Sequence, residues 1–84
     1  MKTLNETVEL MNSEDYKERF RAEYWQLKIR YEKLRSTLIK KEAGTLGFEL
    51  TTPVYRLEEQ QRHMAEYLHD LEVRAEIEGI SLEE

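Results

Sequence analysis

The sequence predicts an all-α fold: a long antiparallel helical hairpin, built from two heptad-patterned helices, that assembles as a homo-oligomeric bundle. Three observations carry that expectation. Phe20, Tyr24, Leu27, Tyr31, Leu34 and Leu38 follow one another at steps of four and three, a period that suits one stripe of a helix and no strand. Leu57, Gln61, Met64, Leu68, Leu71 and Ala75 repeat the same steps, with Gln61 the one polar member. Breakers are scarce, and Gly44, Gly47 and Pro53 gather in a single stretch between the two stripes. Two such arms, each roughly 40 Å long at the rise of an α-helix, bury their stripes by folding back on each other.

The elements follow in order within one domain, 1–84. Residues 1–12 form an N-terminal segment whose Thr7 to Leu10 alternates weakly. The first helix spans 13–42, where Asn12 or Ser13 caps the start and Glu14 and Asp15 place negative charge beside unpaired N–H groups. The loop spans 43–52. Its Leu46, Phe48 and Leu50 either pack over the hairpin tip or form a short strand paired with Thr7 to Leu10. The second helix spans 53–79, with Thr52 as cap, Pro53 in the first helical position and Gly79 ending the last turn. Residues 80–84 are a tail.

Composition bounds the function. Charged residues make up 37% of the chain against 39% hydrophobic, and the mean hydropathy is -0.81. So short a chain buries only about 60% of its unfolded surface, which favours help from a partner subunit. Apolar residues outside the seams, Ala22, Trp25 and Ile29 on the first helix and Tyr67, Ile77 and Ile80 beside the second, need the terminal segment, the loop or another chain to cover them; another chain, in a dimer of hairpins, is the economical answer. The absence of cysteine excludes disulfides, zinc–thiolate sites and thiol nucleophiles. No apolar run approaches the roughly 20 residues of a membrane helix, so the expected location is the cytoplasm, with no membrane partner.

Charge is divided between the arms. Residues 14–41 carry nine basic against five acidic side chains, and residues 54–84 carry three against nine, inside a net charge of -5. Either the arms pair across flanking positions, as helices of a coiled coil do, or part of the basic surface is left for an anion. Duplex nucleic acid is disfavoured by the net negative charge.

Arg21, Lys28 and Arg35 recur every seven residues, and Trp25 lies about one turn from both Arg21 and Lys28. Cations around an indole face suit a phosphate joined to a base, so Arg21, Trp25 and Lys28 are the candidate ligand-binding residues. The competing reading makes Trp25 an interface anchor rimmed by long basic stems. Glu66 and His69 have the Glu-x-x-His spacing of metal-binding bundles, but they flank a seam of Phe, Tyr, Leu and Met, which places them on a solvated face and leaves the chain without a metal or cofactor. Ser13, Ser36 and Ser81 have no histidine at a useful spacing, so no catalytic residue is assigned and the chain is expected to be a non-enzyme.

The stretches Asp15-Tyr-Lys-Glu-Arg-Phe-Arg-Ala-Glu-Tyr-Trp-Gln-Leu-Lys, Tyr31-Glu-Lys-Leu, Ala43-Gly-Thr-Leu-Gly-Phe and Met64-Ala-Glu-Tyr-Leu-His-Asp-Leu-Glu-Val-Arg-Ala-Glu-Ile-Glu-Gly resemble a family of small phage and prophage helical-hairpin proteins of Firmicutes, grouped with a small protein of crAss-like phages. The resemblance covers roughly residues 14 to 82 and rests on the whole pattern, with no catalytic motif. It implies a viral accessory protein acting in the host cytoplasm. Two functions suit such a hairpin. One is counter-defence by sequestering a nucleotide immune signal of the cyclic or ADP-ribose type; the other is a protein-interaction module that inhibits or adapts a host or phage protein, such as a host defence protein.

Overall fold

Breakers mark where the two long arms end, and the computed structural model, which describes residues 1–83, ends both of its long helices at glycine. A 3-10 turn, Leu4–Thr7, leads straight into a one-turn helix, α1 (Val8–Met11), followed by α2 (Tyr16–Ala43) and α3 (Val54–Glu78). Arg74 donates to the Tyr16 hydroxyl at 2.9 Å and Tyr67 donates to Glu23, so position rises along α2 as it falls along α3: the long helices are antiparallel. No strand occurs among the described residues. Thr7 to Leu10 are helical, and 45–50 run irregularly, which corrects the strand alternative for both segments.

The caps differ from expectation at two of the four long-helix ends. Asp15, not Asn12 or Ser13, caps α2, its carboxylate accepting from the Lys17 N–H at 2.9 Å. Asn12 is already committed to ending α1, since its side-chain amide and backbone N–H both donate to the Val8 carbonyl. Ser13 donates to Glu18 at 2.6 Å and accepts from the Asp15 N–H. Pro53 is itself the cap of α3 and not its first helical residue, and no side chain completes that end. Both C-termini close with glycine in the left-handed region, Gly44 at φ 77° and Gly79 at φ 69°, where a side chain would be strained. After Gly79 the Ile80 N–H returns to the Ala75 carbonyl at 2.9 Å, which drops Ile80 into the core and sends the tail back along α2. The expected tail, 80–84, reaches residue 84, which lies outside the described residues.

Burial is graded along the hairpin. At the end holding both termini, Phe20, Tyr24, Leu68, Leu71, Ala75 and Ile80 form one buried cluster, with Trp25, Leu27, Tyr31 and Leu82 packed against it. Toward the connecting loop, Leu34, Leu38, Leu57 and Met64 are only half-buried. The Tyr24 phenol pays for its place in this core by being harder to ionise: burial, opposed by Lys28 and reinforced by Glu72, raises it above its usual value. A phenol held protonated in the fold contributes stability that is present below its unfolded value and lost as pH rises through the folded one. Urea midpoints measured from pH 8 to 11.5 are therefore expected to fall above about pH 10, and Tyr24→Phe should remove part of that fall.

The second stripe of α2 is covered from within the chain. Ala22 and Ile29 are buried, and the N-terminal segment is fixed on their side of the helix by Gln26, which donates to the buried Thr7 hydroxyl at 2.9 Å and to the Met11 sulfur. Thr7 in turn donates to the Leu4 carbonyl at 2.6 Å, so its burial leaves no bond unmade. Of the three expected covers for Ala22 and Ile29, the terminal segment is the one observed, where another chain was preferred. The expectation of charge pairing between the arms is corrected: among the described residues the ion pairs join neighbouring turns of one helix, Lys28–Glu32, Arg56–Glu59, Arg62–Glu66 and Arg74–Glu78. Among the described residues no helix is long and apolar enough to cross a membrane.

Candidate functional site

Trp25 is held at two points. Its ring meets the Tyr24 ring edge-on, centroids 5.4 Å apart and planes at 86°, and its indole N–H donates to the Leu82 carbonyl at 3.1 Å. One polar edge is therefore satisfied by the returning tail, and the rest of the half-buried ring is available as an apolar wall. The tail reaches Trp25 only because Gly79 reverses the chain.

Beside this wall lies an open, mainly apolar cleft. Trp25, Ile29 and Met1 supply its apolar surface, and Lys2, Lys28 and Lys33 its cations, with Glu32 the single acid. Lys28 and Glu32 pair across one turn at 3.4 Å, both partly exposed, a contact worth a few tenths of a kcal/mol that a stronger anion can displace. Two of the three candidate residues, Trp25 and Lys28, thus line one cleft. Arg21 lies outside that lining, one turn before Trp25, where a guanidinium N–H donates to the Glu83 carbonyl at 3.3 Å. Its Nε is buried without a partner. A buried guanidinium N–H left unpaired is a standing cost that an incoming acceptor would remove.

Sequence reasoning missed Lys33 and Lys2. Lys33 was within reach of it, because Trp25, Ile29 and Lys33 are spaced by four and share a stripe. Lys2 was not, since it arrives only through the folding back of the N-terminal segment. The Glu66 and His69 pair lies on an exposed face with Glu66 bound to Arg62 at 3.1 Å, and no group of three His, Asp or Glu side chains among the described residues is placed to hold a metal ion. Chemically, the cleft offers a flat apolar wall and several cations on one side of the molecule.

A family model described as Sequestin matches residues 14–77. No curated protein and no solved structure matches the chain significantly.

Proposed function

Since that match spans most of its length, the chain belongs to the Sequestin family, and from this premise we propose that it is a non-enzymatic phage or prophage accessory protein that sequesters a small phosphorylated nucleotide immune signal. The family's name suggests binding and not catalysis. The observation that carries the finer reading is the juxtaposition of the Trp25 wall with Lys2, Lys28 and Lys33 around one cleft. The indole and Ile29 receive the base or ribose, and the lysines receive phosphate oxygens. Arg21 lies seven residues before Lys28 on the same stripe and completes the site when a ligand phosphate takes the place of the Glu83 carbonyl, a weaker, uncharged acceptor. The protein acts in the host cytoplasm, and it does so as a self-associated assembly.

The test is a thermal-shift and calorimetry panel of cyclic di- and trinucleotides and ADP-ribose derivatives. A true ligand stabilises the fold by about 2.7 kcal/mol at a hundredfold excess over its dissociation constant, and it is recovered chemically unchanged after denaturation of the protein. Arg21→Ala and Trp25→Ala are expected to reduce that stabilisation. No binding at tens of micromolar by any member, together with stoichiometric co-purification of a host protein, would replace this reading with that of a protein-interaction module.

A further inference from the structure

The N-terminal segment buries a residue that apolar packing alone would not choose. Met1, Leu4, Thr7 and Leu10 recur every three residues, and they are the less exposed side of a segment that packs on α2: Thr7 is 0% exposed and the other three are half-buried. The neighbouring Val8 is left 44% exposed. A small rotation of the segment would exchange a hydroxyl for an isopropyl group against Ala22 and Ile29, and burial by itself favours that exchange. Gln26 is what holds Thr7 inside. Its amide donates to the Thr7 hydroxyl at 2.9 Å and to the Met11 sulfur, while the hydroxyl donates to the Leu4 carbonyl at 2.6 Å. Such a buried polar pair adds little net stability, because both groups give up water to meet; its best-attested use is to select one register among several that bury similar apolar area.

We infer that Gln26, which lies outside the lining of the Trp25 cleft, is a positioning residue of the ligand site: through the Thr7 hydroxyl it fixes the register of the N-terminal segment on α2 and so holds Lys2 at the cleft. The inference rests on the ligand reading above and adds to it a residue that touches no ligand. Residues 2–7 carry the register as a unit. The Lys2 N–H and the Thr3 hydroxyl both donate to the Glu6 carboxylate, and the Glu6 N–H returns to the Thr3 side chain and carbonyl, so Lys2 moves with Thr7. In the observed register Lys2 lines the cleft with Lys28 and Lys33. A slip of one turn along α2 displaces the segment by about 5.4 Å, close to the reach of a lysine side chain, and takes Lys2 out of the cleft.

Trp25 is the only tryptophan, so its fluorescence reports on the cleft in the free protein. Iodide, the anionic probe, concentrates where the local potential is positive, and neutral acrylamide corrects for exposure of the ring. At constant ionic strength the ratio of the two quenching constants is expected to fall roughly 1.5-fold in Lys2→Ala, the effect of one charge about 8 Å away in physiological salt. Thr7→Val/Gln26→Leu removes both partners and keeps the interface apolar, so dichroism should show the fold retained, and the ratio should fall at least as far as in Lys2→Ala. Adding Lys2→Ala to that pair should lower it no further, and Thr7→Ser, which keeps the acceptor, should leave the wild-type ratio. If the pair loses helicity, Gln26→Asn, one methylene shorter, takes its place with the same expectations. A wild-type ratio in the register variant overturns the assignment, as does Lys2→Ala acting by the same factor in both backgrounds, the result for a pair that only adds stability. An unchanged ratio in Lys2→Ala itself overturns it too. The readout needs no nucleotide, so failure of the nucleotide panel would remove the ligand reading and leave the register clamp standing.

Discussion

Leu71→Ala is expected to cost about 2–5 kcal/mol of folding free energy, the largest loss of any single truncation in α3. Leu71 has 0% of its surface exposed and sits at the centre of the cluster formed with Phe20, Tyr24, Leu68, Ala75 and Ile80. Removing its isobutyl group takes away the transfer free energy of the buried carbons and leaves a void that the neighbours fill only in part. Tyr24 and Phe20 are ring systems with few rotamers, and Ile80 is pinned by the Gly79 turn, so collapse into the void is restricted. A chain of this size starts near the low end of the roughly 5–15 kcal/mol typical of folded domains, so the variant should be substantially unfolded at 25 °C. Leu27→Ala, by contrast, removes a half-buried side chain and should cost clearly less. Urea denaturation followed by dichroism measures both. A loss below about 0.5 kcal/mol at Leu71, or a larger loss at Leu27 than at Leu71, would contradict the burial gradient from which the expectation follows.

That gradient marks the boundary of what could be read in advance. The seam residues are on the page as a spacing, and Phe20, Tyr24, Leu68, Leu71 and Ala75 do supply the core. Spacing assigns a face; it does not say how closely two faces approach, and Leu34, Leu38 and Leu57 have the same spacing with much less burial. The N-terminal segment was opaque for a different reason. Eight helical residues hold too few turns to show a period, yet a local signal was present: Thr3 accepts from the Glu6 N–H at 3.4 Å, and the Glu6 carboxylate accepts from the Lys2 N–H and the Thr3 hydroxyl, the Thr-x-x-Glu arrangement that starts a helix. The charge imbalance between the arms suggested pairing across them, but partners one turn away on the same helix are reached with less ordering of long side chains, and that local solution prevails. Of the candidate site, Trp25 and Lys28 could be named from their stripe. The Leu82 and Glu83 carbonyls could not, because a backbone acceptor has no sequence signature and these two reach α2 only by the reversal at Gly79.

Lys28→Ala/Lys33→Ala is expected to weaken binding of a phosphorylated nucleotide by about a hundredfold or more while leaving the fold in place. Each charge-assisted hydrogen bond to a phosphate is worth about 1.5–3 kcal/mol, and losing two reaches the range of 3–6 kcal/mol, or roughly 100- to 10,000-fold in the dissociation constant. Stability should hardly change. Lys33 is exposed and has no ion pair among the described residues, and the Lys28–Glu32 contact it would forgo is a surface pair worth tenths of a kcal/mol. The freed Glu32 adds to the effect, since its carboxylate then lines the cleft without its paired cation. Salt separates this mechanism from simple contact loss. Wild-type affinity should fall as sodium chloride rises from 50 to 500 mM, because the screening length shortens from about 14 to about 4 Å in that range, and the double variant should show a much shallower dependence. Calorimetry at both salt concentrations, with the melting temperature as control for the fold, reads all three quantities. Equal affinity of variant and wild type would move the site away from this cleft; reduced affinity with an unchanged salt dependence would mean that the two lysines contribute through their alkyl stems against Trp25 and Ile29, and that the phosphate is held elsewhere.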